Sequence, residues 1–283
     1  KRMRPILAIM AFLIKNKDWE KIIVPALSIE LFHNFTLIHD DIMDEAPLRR
    51  GKETVHKKWN NNVGLLSGDI VMIESYMRLA KYAPELLPKI LKLYNITAIE
   101  VCEGQQMDMD FETSDDVSID NYINMIRLKT AVLLGCSLQL GAIVGEASDK
   151  DALDIYNFGT NLGIAFQLQD DILDVYADQR QFGKPVGGDI LCHTNPFLLL
   201  TALEKANADQ KARLEQLFVE TNPEIKVSGV KEIYAELGIK AAAEAKMSEY
   251  YQLAMSNLDS IQVEDSKKQP LRAIAMYLMG RES

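Results

Sequence analysis

The chain lacks most of what would build a small stapled protein or a nucleic-acid binder. Among 283 residues there are three cysteines, Cys102, Cys136 and Cys192, and no CxxC spacing. That argues against a disulfide framework and a cysteine zinc site, and makes a reducing cytoplasm the natural compartment. Glycine (15) and proline (9) are scarce, and no low-complexity stretch or linker divides the chain. Positive charge is in deficit: 31 Lys and Arg face 41 Asp and Glu, a net charge of −10. A nucleic-acid partner would want a basic face, so none is expected. No run of about 18 apolar residues marks a membrane span, and no signal peptide is visible. The opening "KRMRP" reads like the middle of a segment, so native N-terminal residues are expected to be missing.

What is present is helix. Hydrophobic residues make up 48% and charged residues 25%, enough for a substantial core in one large domain. Strand-like alternation is nearly absent. A long helix is expected over 25–46, ended by Pro47, with Leu27, Leu31, Phe35, Ile38 and Ile42 on its buried face. Further helices are expected over about 67–82, 85–110, 119–145, 150–178, 195–206, 208–220, 228–238, 240–260 and 268–280. The fold class is therefore all-α, a single-domain bundle of about ten or more helices over residues 1–283.

Two acidic stretches stand out: "HDDIMDEAPLRRG" and, far downstream, "FQLQDDILD". Helical spacing puts Asp40 and Asp44 on one face with Asp41 beside them, and likewise Asp170 and Asp174 with Asp171. Carboxylates so close repel one another and call for a cation. Hard oxygen donors suit Mg²⁺, which takes one or two carboxylates together with water and substrate phosphate oxygens. Two such motifs on facing helices would clamp a diphosphate. The plainer alternative, a solvated helix face, serves for one motif but has less reason to recur twice in apolar surroundings.

Cations accompany them: Lys1, Arg2 and Arg4 in "KRMRP", Arg49 and Arg50 just past the first motif, and Lys184 in the glycine-rich "FGKPVGGD". Arg binds phosphate as a fork and Lys as a point charge. Each alone is more often a surface charge than a ligand. Lys129, followed by Thr130 in the apolar "RLKTAVLL", is different, because a lysine there usually has a specific partner. The aspartates and arginines need not serve each other: metal would hold the first, and both would hold phosphate.

The motifs "KRMRP", "HDDIMDEAPLRRG", "LKT", "FQLQDDILD" and "GKPVGGD" resemble, in order and spacing, the trans-prenyltransferases, or isoprenyl diphosphate synthases. The likeness runs from the first residue to at least Asp189. It implies the isoprenoid synthase type I fold around a deep central cavity, usually as a homodimer. It implies that Asp40, Asp41, Asp44, Asp170, Asp171 and Asp174 hold Mg²⁺, three ions per site with diphosphate bound. Arg49, Lys129 and Lys184 would contact an allylic diphosphate. Lys1, Arg4, His33 and Arg50 would bind isopentenyl diphosphate, and Thr130 and Gln167 would line the path of the developing carbocation. Asp40, Asp44, Lys129, Thr130, Gln167 and Asp170 would be the catalytic set. Without the resemblance, His33 reads as a core histidine.

After Asp189 the family usually carries a lysine and then a threonine or serine, where this chain has Thr194 and Pro196, with His193 a candidate substitute. Product length in the family follows bulky residues upstream of the first motif. Phe35 with the small Thr36 implies a short product, with C20 geranylgeranyl diphosphate expected and C15 or longer as alternatives. Met72, Tyr76 and Met77 are further candidates for that floor, or plain core. Three rivals remain. A di-iron bundle would use the two Glu-x-x-His pairs, Glu30/His33 and Glu53/His56. A terpene cyclase would not need the second diphosphate site that Arg4 and Arg50 imply. A regulatory paralogue would bind without turnover.

Overall fold

The computed structural model describes residues 2–82, 84–114, 116–177, 188–192 and 197–280. The described residues are overwhelmingly α-helical. The chain opens with α1 (Met3–Leu13) and α2 (Glu20–Met43). A two-stranded hairpin follows, β1 (Leu48–Arg49) and β2 (Lys52–Glu53), then the single-turn α3 (Val55–Lys58) and α4 (Asn61–Leu79). Next come α5 (Leu87–Phe111), α6 (Ile119–Ile126), a π-helical turn at Arg127–Ala131, α7 (Val132–Val144) and α8 (Asp149–Tyr176). The C-terminal helices are α9 (Gly188–Cys192), α10 (Phe197–Lys205), α11 (Ala208–Phe218), α12 (Pro223–Glu236), α13 (Ile239–Ser260) and α14 (Asp265–Met279).

Local chemistry sets several of these limits. The Asn60 side chain accepts from the Val63 amide at 2.9 Å, so α4 begins at Asn61, six residues before the expected start. The Asn222 side chain caps α12, and Pro223 sits where its missing N–H is not needed. At α2 the expectation of a start at Pro25 is corrected. The helix begins at Glu20 and carries Pro25 inside it, forgoing one intrahelical bond. It also stops earlier than Pro47, because Glu45 takes a left-handed φ of 49°.

The residues form two compact units, neither continuous in sequence. One comprises Lys1–Ile96, Cys136–Tyr156 and Gln262–Lys268; the other Thr97–Gly135, Asn157–Ile261 and Gln269–Ser283. In the first, Leu7, Phe12, Ile22, Ile29, Phe32 and Tyr94 are buried. The buried face of α2 is thus Ile22, Ala26, Ile29, Phe32 and Phe35, whereas Leu27, expected inside, is 49% exposed. Asp151 ties this unit together, accepting from the Gln262 amide at 2.8 Å and pairing with Lys15 at 3.0 Å. In the second unit, Tyr122, Ile126, Leu168, Phe197, Leu214, Ile233 and Tyr234 belong to one apolar cluster. Two helical stretches, Glu20–Met43 and Ile119–Val144, have the length and hydropathy of a membrane span. Of the 18-residue apolar window in the second, 78% is buried in the protein, as in a core helix. Of the first, 39% is buried.

Candidate active site

The first acidic motif closes α2. Asp40 and Asp41 lie in its last turn, while Asp44 is the C-cap, exposed, its amide bonded to the Asp40 carbonyl at 2.9 Å. The hairpin then reverses the chain. Arg50 and Gly51 both have positive φ, 54° and 75°, the signature of a two-residue primed turn. Arg49 and Lys52 are register partners across it. The buried Thr54 pins the loop: its hydroxyl donates to the Ala46 carbonyl at 2.7 Å and its amide to the Pro47 carbonyl at 3.2 Å. As a result Arg49 folds back onto the motif. Its Nε donates to Asp41 Oδ1 at 2.6 Å and its Nη2 to Asp40 Oδ2 at 3.2 Å. In this structure Arg49 and the first motif therefore do serve each other.

Arg4 and His33 meet in the same unit. Arg4 Nη1 lies 2.9 Å from His33 Nε2. Arg is always a donor, so Nε2 accepts and the imidazole is the neutral tautomer protonated at Nδ1. Burial, then the charges of Arg4, Arg50 and Arg49, push His33 down to about 3. Burial also lowers the Arg4 guanidinium to about 10, against the opposing effect of Glu30. The Nε of Arg4 is buried with no acceptor. Three arginines thus bear on one histidine within a chain of net charge −10.

Phe35, 8% exposed, lies one turn or so below the motif. Its ring stands edge-on to Phe32 and to His39, each with centroids 5.1 Å apart. The row continues through Tyr94 to Tyr76, at 5.3 and 5.0 Å. Thr36 turns its hydroxyl onto the His33 carbonyl. Met72 and Tyr76 are partly buried, and Met77 is exposed.

In the second unit, α8 carries Gln167, Asp170, Asp171 and Asp174. Asp171 is 5% exposed and accepts the Tyr122 hydroxyl at 2.6 Å and the Phe197 amide at 3.4 Å. Asp170 and Asp174 are partly exposed, and Asp174 bears electrostatically on Lys231. Lys129 and Thr130 sit on the π-helical turn, where the Lys129 ammonium meets Asp108 Oδ2 at 2.5 Å. Gln105, one turn before Asp108 on α5, has a buried amide nitrogen without an acceptor. Asp108, Gln105, Tyr122 and Lys231 were missed in the sequence. The lone lysine of "RLKTAVLL" called for an acidic partner, and "EGQQMDMD" on α5 was the place to look. Lys1, Lys184, His193, Thr194 and Pro196 lie outside the described residues. Among the described residues no three acidic, histidine or cysteine side chains form a ready-made metal cage. The donors are hard carboxylates, which fit a cation that takes few protein ligands.

Comparison with known proteins decides the family. A profile for polyprenyl synthetases matches residues 1–237. The chain belongs to the polyprenyl synthetase family. This polyprenyl synthetase is 35% identical over 292 residues to the geranylgeranyl diphosphate synthase of Saccharolobus solfataricus, covering 99% of this chain and 86% of that one. A crystal structure of a geranylgeranyl pyrophosphate synthase matches with a TM-score of 0.93 and 42% identity, over 100% of this chain and 88% of that one. The geranylgeranyl pyrophosphate synthase of Corynebacterium glutamicum, solved with isoprenyl diphosphate and magnesium, matches at 0.87 and 28% identity, over 99% of this chain and 86% of that one. The all-α isoprenoid synthase fold and the class of enzyme, an isoprenyl diphosphate synthase, follow from these matches.

Proposed function

We propose that this polyprenyl synthetase condenses isopentenyl diphosphate with an allylic diphosphate of C5 to C15, releases pyrophosphate, and stops at C20, geranylgeranyl diphosphate. The observation that carries the reading is the state of its cations. Arg49 and Lys129 each rest on a carboxylate, at 2.6 and 2.5 Å, and Arg4 holds a buried N–H without an acceptor. Such donors are preorganised for an anion that brings its own counter-ions.

Arg49, Lys129 and Lys184 contact the allylic diphosphate; Lys1, Arg4, His33 and Arg50 bind the isopentenyl diphosphate. His33 is neutral, so its part is to accept from Arg4 and aim it, rather than to add charge. Asp40, Asp41, Asp44, Asp170, Asp171 and Asp174 would hold Mg²⁺, three ions per site. Bound Mg²⁺ supplies Lewis-acid stabilisation of the departing pyrophosphate. Arg49 braces Asp41 and Asp40, and Tyr122 braces Asp171, so each donor set keeps one inner carboxylate fixed. Thr130 and Gln167 present polar atoms to the developing allylic cation, and Phe35 with Thr36 terminates the tail.

The whole chain acts as one isoprenoid synthase domain, supported by a family match that runs through both compact units. We place it in the cytoplasm on its free thiols, Cys102 and Cys136, and read it as a homodimer. On α4 the side chains of Leu66, Ile70, Ile73 and Met77 recur on one face and are 61, 62, 55 and 48% exposed. A stripe of that kind marks a protein interface. Incubation with isopentenyl diphosphate, each allylic primer and Mg²⁺, followed by chromatography of the dephosphorylated products, tests the reading. A C20 product is expected; absence of chain growth with every primer overturns it.

A further inference from the structure

The π-helical turn Arg127–Ala131 interrupts the rod from α6 to α7 at the two residues read as touching the allylic substrate, Lys129 and Thr130. A π turn closes i to i+5, one residue wider than α; it is rare, and frequently found at functional sites. Its swollen backbone needs room and support, and three features of the second unit provide them. On α5, Gly104 faces the turn so closely that a Cβ there would lie 2.3 Å from the Lys129 amide nitrogen and 2.7 Å from the Leu128 carbonyl carbon. On α8, a Cβ at Gly163 would lie 2.8 Å from both Cα and Cβ of Ala131. At the turn's first residue, Arg127 spans to Glu100 at 3.3 Å and to Asn124 through Nε and Nη2 at 3.3 and 3.2 Å.

We infer that Gly104, Gly163 and Arg127 are positioning residues: together they admit and brace the π turn, and the π turn aims Lys129 and Thr130. Were the turn to tighten to α, the residues on one side would shift register by one position, a rotation of about 100°. Lys129 would then leave the line that now brings it within 2.5 Å of Asp108. The inference rests on the reading of Lys129 and Thr130 as allylic contacts, which a separate variant tests.

Steady-state kinetics with both substrates varied, alongside thermal unfolding, distinguish aim from mere packing. Gly104→Ala and Gly163→Ala are expected to raise KM for the allylic diphosphate and lower kcat, the combined loss in kcat/KM being on the order of 10²-fold. KM for isopentenyl diphosphate should stay unchanged. Gly141→Ala is the control: its Cβ would fall 2.0 Å from the Ala8 carbonyl oxygen in the first unit, so it should lower Tm and leave the allylic KM unmoved. If the two test variants behave like this control, the glycines only pack and the inference is overturned. Should either fail to fold, Arg127→Gln adds no bulk and carries the test, with the same allylic KM rise expected and an unchanged KM overturning it. Lys129→Ala separates the two levels: an unaltered allylic KM in that variant sinks the reading of the lysine itself.

Discussion

At the scale of single residues, Phe35 sets the most specific expectation. Its ring is edge-on to two others and almost fully buried, so truncation opens a hole continuous with the row toward Tyr94. Phe35→Ala should shift the product to longer chains, since one helical turn spans about 5.4 Å. An unchanged product profile by chromatography refutes the floor. Asp171 and Asp170 should separate by stability. Asp171→Asn weakens a buried acceptor of Tyr122 and of the Phe197 amide, so it should lose both Tm and activity. Asp170→Asn should lose activity with Tm nearly intact. His33 gives a pH dependence. Its folded pKa is about 3 against an ordinary 6.5, so between those values the unfolded chain binds a proton that the folded chain refuses. This residue therefore withdraws stability as pH falls below about 6.5. His33→Gln should narrow the drop in Tm between pH 7 and about pH 4.5; an equal drop in both proteins refutes it.

At the scale of elements, the loop from Asp44 to Thr54 behaves as one device. Three left-handed residues, Glu45, Arg50 and Gly51, bend it, and the Thr54 hydroxyl locks its base on Ala46. Thr54→Val keeps the shape but strands the Ala46 carbonyl, a change of about 1–3 kcal/mol. With Arg49 no longer held on Asp41, activity should fall further than Tm, while Thr54→Ser should restore both. The same economy is seen at the π turn, where a widened helix is tolerated because two neighbouring helices offer no Cβ against it.

At the scale of the whole molecule, the −10 charge is compatible with an anionic substrate because charge acts locally, and Arg4, Arg49 and Arg50 all bear on the neighbourhood of His33. Removal of divalent metal by chelator should abolish turnover, and Mg²⁺ should restore it, since the carboxylate sets otherwise repel an incoming diphosphate. The exposed stripe on α4 should bury itself against a second copy. Ile70→Glu should convert a dimer to a monomer by light scattering, and an unchanged mass would refute that face.

The sequence by itself determined the helical class, the two acidic motifs and the cationic company they keep, because helical spacing places residues three and four apart on one face without help from the rest of the chain. It also singled out Lys129 as needing a partner. Only the tertiary structure decided who that partner is, since Asp108 lies 21 positions away. It likewise decided that Arg49 returns to Asp40 and Asp41, through a hairpin whose turn geometry two residues carry. Periodicity misread α2, whose apolar residues nearly encircle it, so packing against α1 and α4 chose the face on which Ile29 and Phe32 are buried and Leu27 is not. The π turn was invisible for the same reason: "RLKTA" has no helix breaker, and what widens it is room left on two other helices.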